Sequence, residues 1–356
     1  MASQVASQIR DAAWLKWIST LVGATSTGET SRQRYAATFP SDRYCCLLDD
    51  LPLHLVPRWF FQSPVVRGVS SQPLFLNPHC TVLPAGQLPD ELSGQTELLA
   101  NFAVQGSIAW VRNPLTRVVL PFWLGPKLQV AIQGLSADDP APPTLPAADR
   151  SLLAAAGILV ARKQDARDLQ QWNELTEKSA MFQERNYVPL NHLLHPFHVA
   201  ALRRYYRCLI RQGQIRLGDP QSPRRYIAYN EPVARFFHQQ IAATIEAVVG
   251  QPIKPSYVYM ASYLSGAVLK KHIDREQCEF SVTLCLDFSP EPAQESPWPI
   301  RLDTSRGKTT AYQALGDGLV YRGTRVPHYR YALGEGKTST SIFFHYVAAD
   351  FLGSLD

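Results

Sequence analysis

Seven short runs of strand-forming residues follow two helical runs in the second half of this 356-residue sequence. The strand-like runs read SYVYMASYL, AVLKKHI, FSVTLCLDF, PIRLD, TTAYQAL, GLVYRG and STSIFFHYV. The helical runs begin at Pro196 and Pro232, since proline favours the first position of a helix, and they end at Gly213 and Gly250. Two helices followed by many short strands predict an α+β fold in which the strands form a sandwich or a barrel.

The residues before this region have other patterns. An amphipathic helix is predicted over residues 5–21, where apolar residues recur every three or four positions. Prolines interrupt residues 51–135, in which SIAWVRN and TRVVLPFWL have the composition of strands. The segment SADDPAPPTLPAADR predicts a turn-rich linker, with Asp149 or Ser151 as the cap of the helix that follows, SLLAAAGILVARK. A further helix is predicted over residues 167–179.

These patterns divide the chain into a mixed α/β N-terminal region, residues 1–175, and a second domain, residues 176–356. A chain of 356 residues accommodates two domains, because a domain typically has about 100–200 residues. Hydrophobic residues make up 46% of the sequence, which is enough for a sizeable core. The N-terminal region matches no known pattern, and we expect it to recognise a substrate or to mediate dimerisation.

The charge distribution favours neither nucleic acid nor a membrane as a partner. The sequence has 35 Lys and Arg against 30 Asp and Glu, without a long basic tract. It contains no unbroken run of about 18 apolar residues, and polar residues interrupt its first positions, unlike a signal peptide. None of its six cysteines forms a CxxC pair, so we expect reduced cysteines and a cytoplasmic protein.

The most informative residues for chemistry are His272, Asp274 and His328. Residues two apart in a strand point to the same face, so His272 and Asp274 can present an imidazole and a carboxylate side by side. His328 comes from a later strand of the same region. Two histidines and one carboxylate on one side of a metal leave three positions open, as in non-haem Fe(II) oxygenases. Without further context, an HxD pair is equally compatible with a surface His–Asp contact.

Lys337 adds that context, because it directly precedes the last strand-like run. A fixed cation there suits the distal carboxylate of a 2-oxo diacid that chelates the metal. With YMASYLSGAVLKKHID, FSVTLCLDF, GDGLVYRGTRVPHYR and KTSTSIFFHYV in this order, residues 180–356 resemble the Fe(II)- and 2-oxoglutarate-dependent dioxygenases, in particular their prolyl-hydroxylase-like branch. The resemblance implies a double-stranded β-helix, a jelly-roll or cupin-like sandwich with helices packed outside it.

The resemblance also implies ligands and cofactors. Fe(II) is expected at His272, Asp274 and His328, and 2-oxoglutarate is expected to place its 5-carboxylate on Lys337. O2 would take the remaining metal position, and ascorbate is a further candidate cofactor. Asp274 favours hydroxylation over halogenation, because related halogenases replace this carboxylate with a small residue.

Three residues are expected to contact the cosubstrate, and a fourth departs from the family pattern. By the resemblance, Tyr263 lines the cosubstrate pocket, and Thr283 and Ser339 are candidate hydroxyl partners. Asp287 stands where many members of the family carry a tyrosine that contacts the cosubstrate tail, which is a departure from the family pattern.

Two arginines are candidates for binding the substrate. Arg330 lies two residues after His328 and on the same face of an extended strand, where it can bind a substrate carboxylate or form a salt bridge with the HxD segment. Arg275 directly follows Asp274, where it can reach the substrate, gate the site or form a surface ion pair.

Other polar residues are predicted to be structural. The three histidines of HLLHPFH are expected at a helix entry and in the core rather than at a second metal, and His345 is expected to be a packed core residue. A solvated helix face is predicted for four arginines at helical spacing, Arg203, Arg204, Arg207 and Arg211.

The leading expectation is an oxygenase that hydroxylates an aliphatic carbon of an amino-acid, peptide or protein side chain and releases succinate and CO2. The peptide substrate rests on family analogy alone. The alternatives are an oxygenase that hydroxylates, desaturates or cyclises a free small molecule in a biosynthetic pathway, and a non-catalytic β-sandwich binding protein. A homodimer is a candidate assembly.

Overall fold

The structure, a computed structural model, describes residues 43–62, 73–161 and 164–356. The helix predicted over residues 5–21 lies outside them. The α-helices of this part are α1 (Pro126–Ile132), α2 (Ala147–Ala155), α3 (Gln164–Arg185), α4 (Pro196–Arg211), α5 (Pro232–Gln240) and α6 (Ala242–Val249). Short 3-10 helices cover Leu48–Asp50, Leu53–Leu55, Arg58–Gln62, Asp90–Leu92, Thr96–Ala100 and Glu276–Cys278.

The strands of the described residues form four sheets. They are β1 (Phe75–Leu76), β2 (Cys80–Pro84), β3 (Ser107–Arg112), β4 (Val119–Leu124), β5 (Leu159–Val160), β6 (Tyr187–Leu190), β7 (Arg216–Leu217), β8 (Arg225–Tyr229), β9 (Ile253–Tyr263), β10 (Leu269–His272), β11 (Phe280–Ser289), β12 (Ile300–Thr304), β13 (Gly307–Ala311), β14 (Gly318–Arg322), β15 (His328–Arg330) and β16 (Thr338–Ala348). Each predicted strand-like run overlaps a strand, whereas β5, β6, β7 and β8 were not predicted, and β5 lies within the run SLLAAAGILVARK that was predicted to be helical. The fold is mixed α/β, with many antiparallel strands.

Two antiparallel sheets organise the C-terminal half. The large sheet has seven strands in the order β6-β14-β11-β16-β9-β8-β7, and the small sheet has four in the order β10-β15-β12-β13. The two sheets pack together through an apolar cluster that joins Leu319 and Tyr321 of β14 to Ile300 and Leu302 of β12. The small sheets β2-β3-β4 and β1-β5 belong to the N-terminal region.

The helix bounds follow local sequence signals, with three differences from prediction. α4 starts at Pro196, and Gly213 follows its end at a φ of 72°, as predicted. The run after Pro232 is two helices, because Ile241 between them has a ψ of −2°, far from the helical value of about −42°. α2 begins directly after Pro146, without a side-chain cap, so the expected capping by Asp149 or Ser151 is wrong. α3 extends beyond the predicted 167–179 at both ends.

The core continues across the expected domain boundary. Position 175 lies inside α3, and one buried apolar cluster contains residues from both sides of it. Tyr44 illustrates the contact, since its hydroxyl lies 2.5 Å from Nδ1 of His198 on α4 and its ring packs on Phe237 of α5. The division into two domains stays a prediction.

The predicted solvated arginine face of α4 is wrong at Arg203, which is buried. Arg203 is 1% exposed and binds the carboxylates of Asp287 (2.8 Å) and Glu291 (2.9 Å). Arg207 adds a second cation to Asp287, at 2.6 Å. Since the helix lies on the large sheet, this face meets acidic groups of β11 and the loop after it. Arg211, in the last turn, is exposed.

Replacing Arg203 with methionine is expected to lower the free energy of unfolding by about 3 kcal/mol or more, because it removes the cation that binds Glu291 and one of the two cations that bind the buried Asp287. The matched control is Arg211→Met on the same helix, which is expected to change stability by less than about 0.5 kcal/mol. Urea unfolding measures both. Equal stability of the two variants would show that the buried ion pairs of Arg203 do not stabilise the fold.

None of the described helices combines the length and the apolar composition that a membrane span requires. All six cysteines, which lie within the described residues, are free thiols.

Candidate metal centre

The site lies where two strands of the small sheet pair. His272 is the last residue of β10 and His328 the first of β15, and the antiparallel register places the two opposite each other. Asp274 follows β10, and its backbone N–H donates to the carbonyl of Gly323 at 2.9 Å. The pairing therefore brings His328 next to His272 and Asp274, which lie more than 50 residues earlier in the sequence.

Three donor atoms converge at this position. Oδ1 of Asp274 lies 3.6 Å from Nε2 of His272 and 3.5 Å from Nε2 of His328. Ligand atoms about 2 Å from a shared ion lie roughly 3 Å apart, so these separations suit a common metal. The His272 side chain is 34% exposed and that of His328 is 3% exposed, so the centre is reached from the His272 side.

Backbone carbonyls fix both imidazoles in the orientation that metal binding requires. Nδ1 of His272 donates to the carbonyl of Lys270 at 2.8 Å, and Nδ1 of His328 donates to that of Val326 at 3.1 Å. With the proton on Nδ1, each Nε2 keeps a lone pair for a metal. The donor set of two imidazole nitrogens and one carboxylate oxygen fits a divalent transition metal.

A hydroxyl behind the carboxylate holds it in place. Oγ of Ser281 donates to Oδ2 of Asp274 at 2.7 Å and lies 3.0 Å from Nδ1 of His345. Oδ1 of Asp274 therefore remains directed at the imidazoles. Residues that hold a ligand in this way typically contribute to metal affinity.

The charges of the three donors are set by their surroundings. Burial by itself raises the pKa of Asp274, but interactions with His272 and His328 outweigh it and hold the pKa well below its usual range. The neighbouring Asp274 carboxylate raises the pKa of His272. Burial lowers the pKa of His328. A neutral imidazole and an ionised carboxylate are the forms that bind a metal.

The polar residues behind Asp274 were not predicted as part of the site. His345 is buried, as expected of a core residue, yet it also contacts the hydroxyl that holds the metal carboxylate. With Asp274 and Cys278, it forms a second group of potential ligand atoms. A serine and a histidine among the apolar residues of two strand-like runs were the available sequence signal, because buried polar groups need partners.

The three residues expected around the cosubstrate lie on the large sheet and are buried. Oγ1 of Thr283 is 3.3 Å from the hydroxyl of Tyr321, which is 3.5 Å from Nε2 of His328. Tyr263 and Ser339 are register partners on β9 and β16. Their roles as cosubstrate contacts stay predictions.

Lys337 and Asp287 lie in different environments. Lys337 is half-buried in the turn before β16, its side chain lies against Gly334, and among the described residues its ammonium group has no hydrogen bond or ion pair. Asp287 faces α4, where it binds Arg203 and Arg207. Asp287, which stands where many members of the family carry a tyrosine, therefore contacts α4.

The two substrate-binding candidates lie in different environments. Arg330 is 4% exposed, donates to the carbonyl of Trp298 and stacks 4.7 Å from its ring centre. Arg275 is exposed and donates to the hydroxyls of Tyr257 (3.2 Å) and Tyr229 (2.9 Å). Within residues 43–62, 73–161 and 164–356, neither forms the ion pair considered as its alternative role. Substrate binding stays a prediction for both.

Comparison with known proteins gives no family assignment. No family model matches the sequence, and no curated protein matches it. Among solved structures, similarity is found to the non-haem alpha ketoglutarate dependent epimerase SnoN from nogalamycin biosynthesis, with a TM-score of 0.42 and 15% identity over 50% of this chain and 84% of that one.

Two further solved structures are similar over the same share of this chain. A prolyl-4-hydroxylase from Pseudomonas putida has a TM-score of 0.39 and 18% identity, over 48% of this chain and 98% of its own. HygX from Streptomyces hygroscopicus, with nickel and 2-oxoglutarate bound, has a TM-score of 0.39 and 12% identity, over 49% and 87%. At TM-scores below 0.5, these likenesses do not establish a function for this chain.

Proposed function

We propose that the protein is an Fe(II)- and 2-oxoglutarate-dependent oxygenase that hydroxylates an aliphatic carbon. One observation carries this proposal: Nε2 of His272, Nε2 of His328 and Oδ1 of Asp274 converge while both Nδ1 atoms are bonded to backbone carbonyls. A facial set of two histidines and one carboxylate leaves three metal positions for a cosubstrate and O2.

The chain's own residues bind and orient the reacting groups in this proposal. When bound, iron with 2-oxoglutarate and O2 supplies the oxidation of a C–H bond, with release of succinate and CO2. The backbone carbonyls of Lys270 and Val326 fix the orientation of the two imidazoles, and Ser281 fixes the orientation of the Asp274 carboxylate. Burial of His328 keeps water from that side of the centre.

The finer fold and the biological setting are part of the proposal. A seven-stranded and a four-stranded antiparallel sheet that pack together are compatible with a double-stranded β-helix of the prolyl-hydroxylase-like branch. We propose an amino-acid, peptide or protein side chain as the substrate, a cytoplasmic location, and a role for residues 1–175 in substrate recognition or dimerisation.

The test is an anaerobic titration of the Fe(II)-loaded protein with 2-oxoglutarate, followed by the admission of O2. We expect the weak visible charge-transfer band of the chelate to form, and succinate to accumulate after O2 is added. Both signals depend on the metal site, so His272→Ala is expected to abolish them. The matched control is His79→Ala, at an exposed histidine outside the site.

A band and succinate that both persist in His272→Ala would contradict the metal site. An unsubstituted protein that gives neither signal would contradict the oxygenase and favour a binding protein.

A further inference from the structure

Arg330 differs from the other buried arginines of the described chain. Three arginine side chains are buried there: Arg203, Arg225 and Arg330 are 1%, 3% and 4% exposed. Arg203 and Arg225 each bind at least one carboxylate. In the part of the chain that the structure describes, Arg330 has no ion pair with a carboxylate. A buried cation without a counter-ion is costly, so this position calls for an anion from outside the chain.

The guanidinium of Arg330 is held but not saturated. It donates to the carbonyl of Trp298 and stacks on the indole ring at 4.7 Å. A guanidinium has five N–H donors in a planar fork, so donors remain after this bond. Trp298 thereby orients a fork that can take a carboxylate through two parallel hydrogen bonds.

Arg330 also lies at the right place relative to the metal ligands. It is two residues after His328 on β15, where the burial pattern is buried, half-buried, buried. Both side chains therefore enter the interior from the same face, about 7 Å apart along the strand. That separation suits a ligand that binds the metal at one end and carries a carboxylate at the other, as a five-carbon 2-oxo diacid does.

Lys337, the residue that the family resemblance assigns to this carboxylate, lacks these features. It is half-buried in a turn, with its side chain against Gly334. A partly hydrated ammonium group does not require an anion for its stability.

We infer that Arg330, rather than Lys337, binds the distal carboxylate of the 2-oxo diacid, with Trp298 as its positioning residue. This inference rests on the proposed function. It predicts that the site selects diacids over 2-oxo monoacids through Arg330.

The test compares Arg330→Met and Lys337→Met in anaerobic Fe(II) titrations with 2-oxoglutarate and with 2-oxobutyrate, which keeps the chelating end and lacks the distal carboxylate. Arg330→Met is expected to weaken 2-oxoglutarate binding by about 10- to 100-fold and to change 2-oxobutyrate binding by less than about threefold. Lys337→Met is expected to leave both affinities within about threefold.

A stability measurement separates ligand binding from a structural role. In the ligand-free protein, Arg330→Met is expected to melt at the same or a higher temperature than the unsubstituted chain, because methionine replaces an uncompensated buried charge. Arg203→Met, at a buried arginine with its carboxylates in place, is expected to melt at a lower temperature.

Two outcomes overturn the inference but not the proposed function. In the first, Lys337→Met loses affinity for 2-oxoglutarate and Arg330→Met keeps it. In the second, Arg330→Met melts at a lower temperature than the unsubstituted chain and loses affinity for 2-oxoglutarate and 2-oxobutyrate equally. An unsubstituted protein that binds no 2-oxoglutarate contradicts the proposed function, and the inference with it.

Discussion

Asp274→Ala is expected to lower Fe(II) affinity by more than about 100-fold, because loss of a ligand should exceed the 10- to 100-fold effect typical of residues that only hold one. The variant keeps the two imidazoles but loses the carboxylate oxygen that lies 3.5 and 3.6 Å from their Nε2 atoms. Anaerobic competition with a coloured Fe(II) chelator measures the affinity without any cosubstrate, so the result does not depend on knowing the substrate.

Ser281→Ala is expected to lower Fe(II) affinity less than Asp274→Ala does, and Asp350→Ala is the control. Ser281 holds Oδ2 of Asp274 without being a ligand, so its loss is expected to cost about 10-fold in Fe(II) affinity. Asp350 is an exposed carboxylate, and its replacement is expected to leave the affinity unchanged. Wild-type affinity in Asp274→Ala would mean that this carboxylate is not a metal ligand.

The pairing of His272 with Asp274 could be predicted from the sequence, because the two residues are neighbours in one strand-like segment. The HxD pair follows from the two-residue period of a strand, and β10 does end at His272. The contact of His328 with this pair depends on the register of β10 and β15, which no spacing in the sequence specifies. The family resemblance supplied that step.

The orientation of Asp287 could not be predicted, because it depends on a bulge. Along β11, Ser281 and Thr283 pair regularly with β16, but the register shifts between Cys285 and Asp287. A bulge reverses the alternation of faces beyond it. Asp287 therefore points at α4 instead of the interior, and strict alternation mispredicts it.

The arginines of α4 show a similar limit. A row of cations at helical spacing is typical of a solvated face, and only the tertiary contact with Asp287 and Glu291 reveals that Arg203 is buried. For Arg330, the sequence position indicates a strand face near the metal. The sequence does not indicate whether a carboxylate of the chain binds this arginine.

Gly323→Ala is expected to disrupt the metal site and to lower the free energy of unfolding by about 1–3 kcal/mol, the usual cost of overpacking. A methyl group there would overlap the carbonyl oxygen of Cys278 and lie 2.5 Å from both Oδ2 of Asp274 and Oγ of Ser281. The Cys278 carbonyl is backbone and cannot move cheaply, and the two side-chain oxygens are the pair that aims the metal carboxylate.

The matched control for this variant is Gly94→Ala, since a methyl group at Gly94 meets nothing within 4 Å. Fe(II) competition and urea unfolding, applied to both variants, separate a local effect on the site from a general effect of replacing glycine. Because Gly323 also accepts the backbone N–H of Asp274 at 2.9 Å, relief of the overlap must shift the ligand itself. Fe(II) affinity in Gly323→Ala equal to that in Gly94→Ala would show that the carboxylate tolerates such a shift, and that its position does not depend on the space left by this glycine.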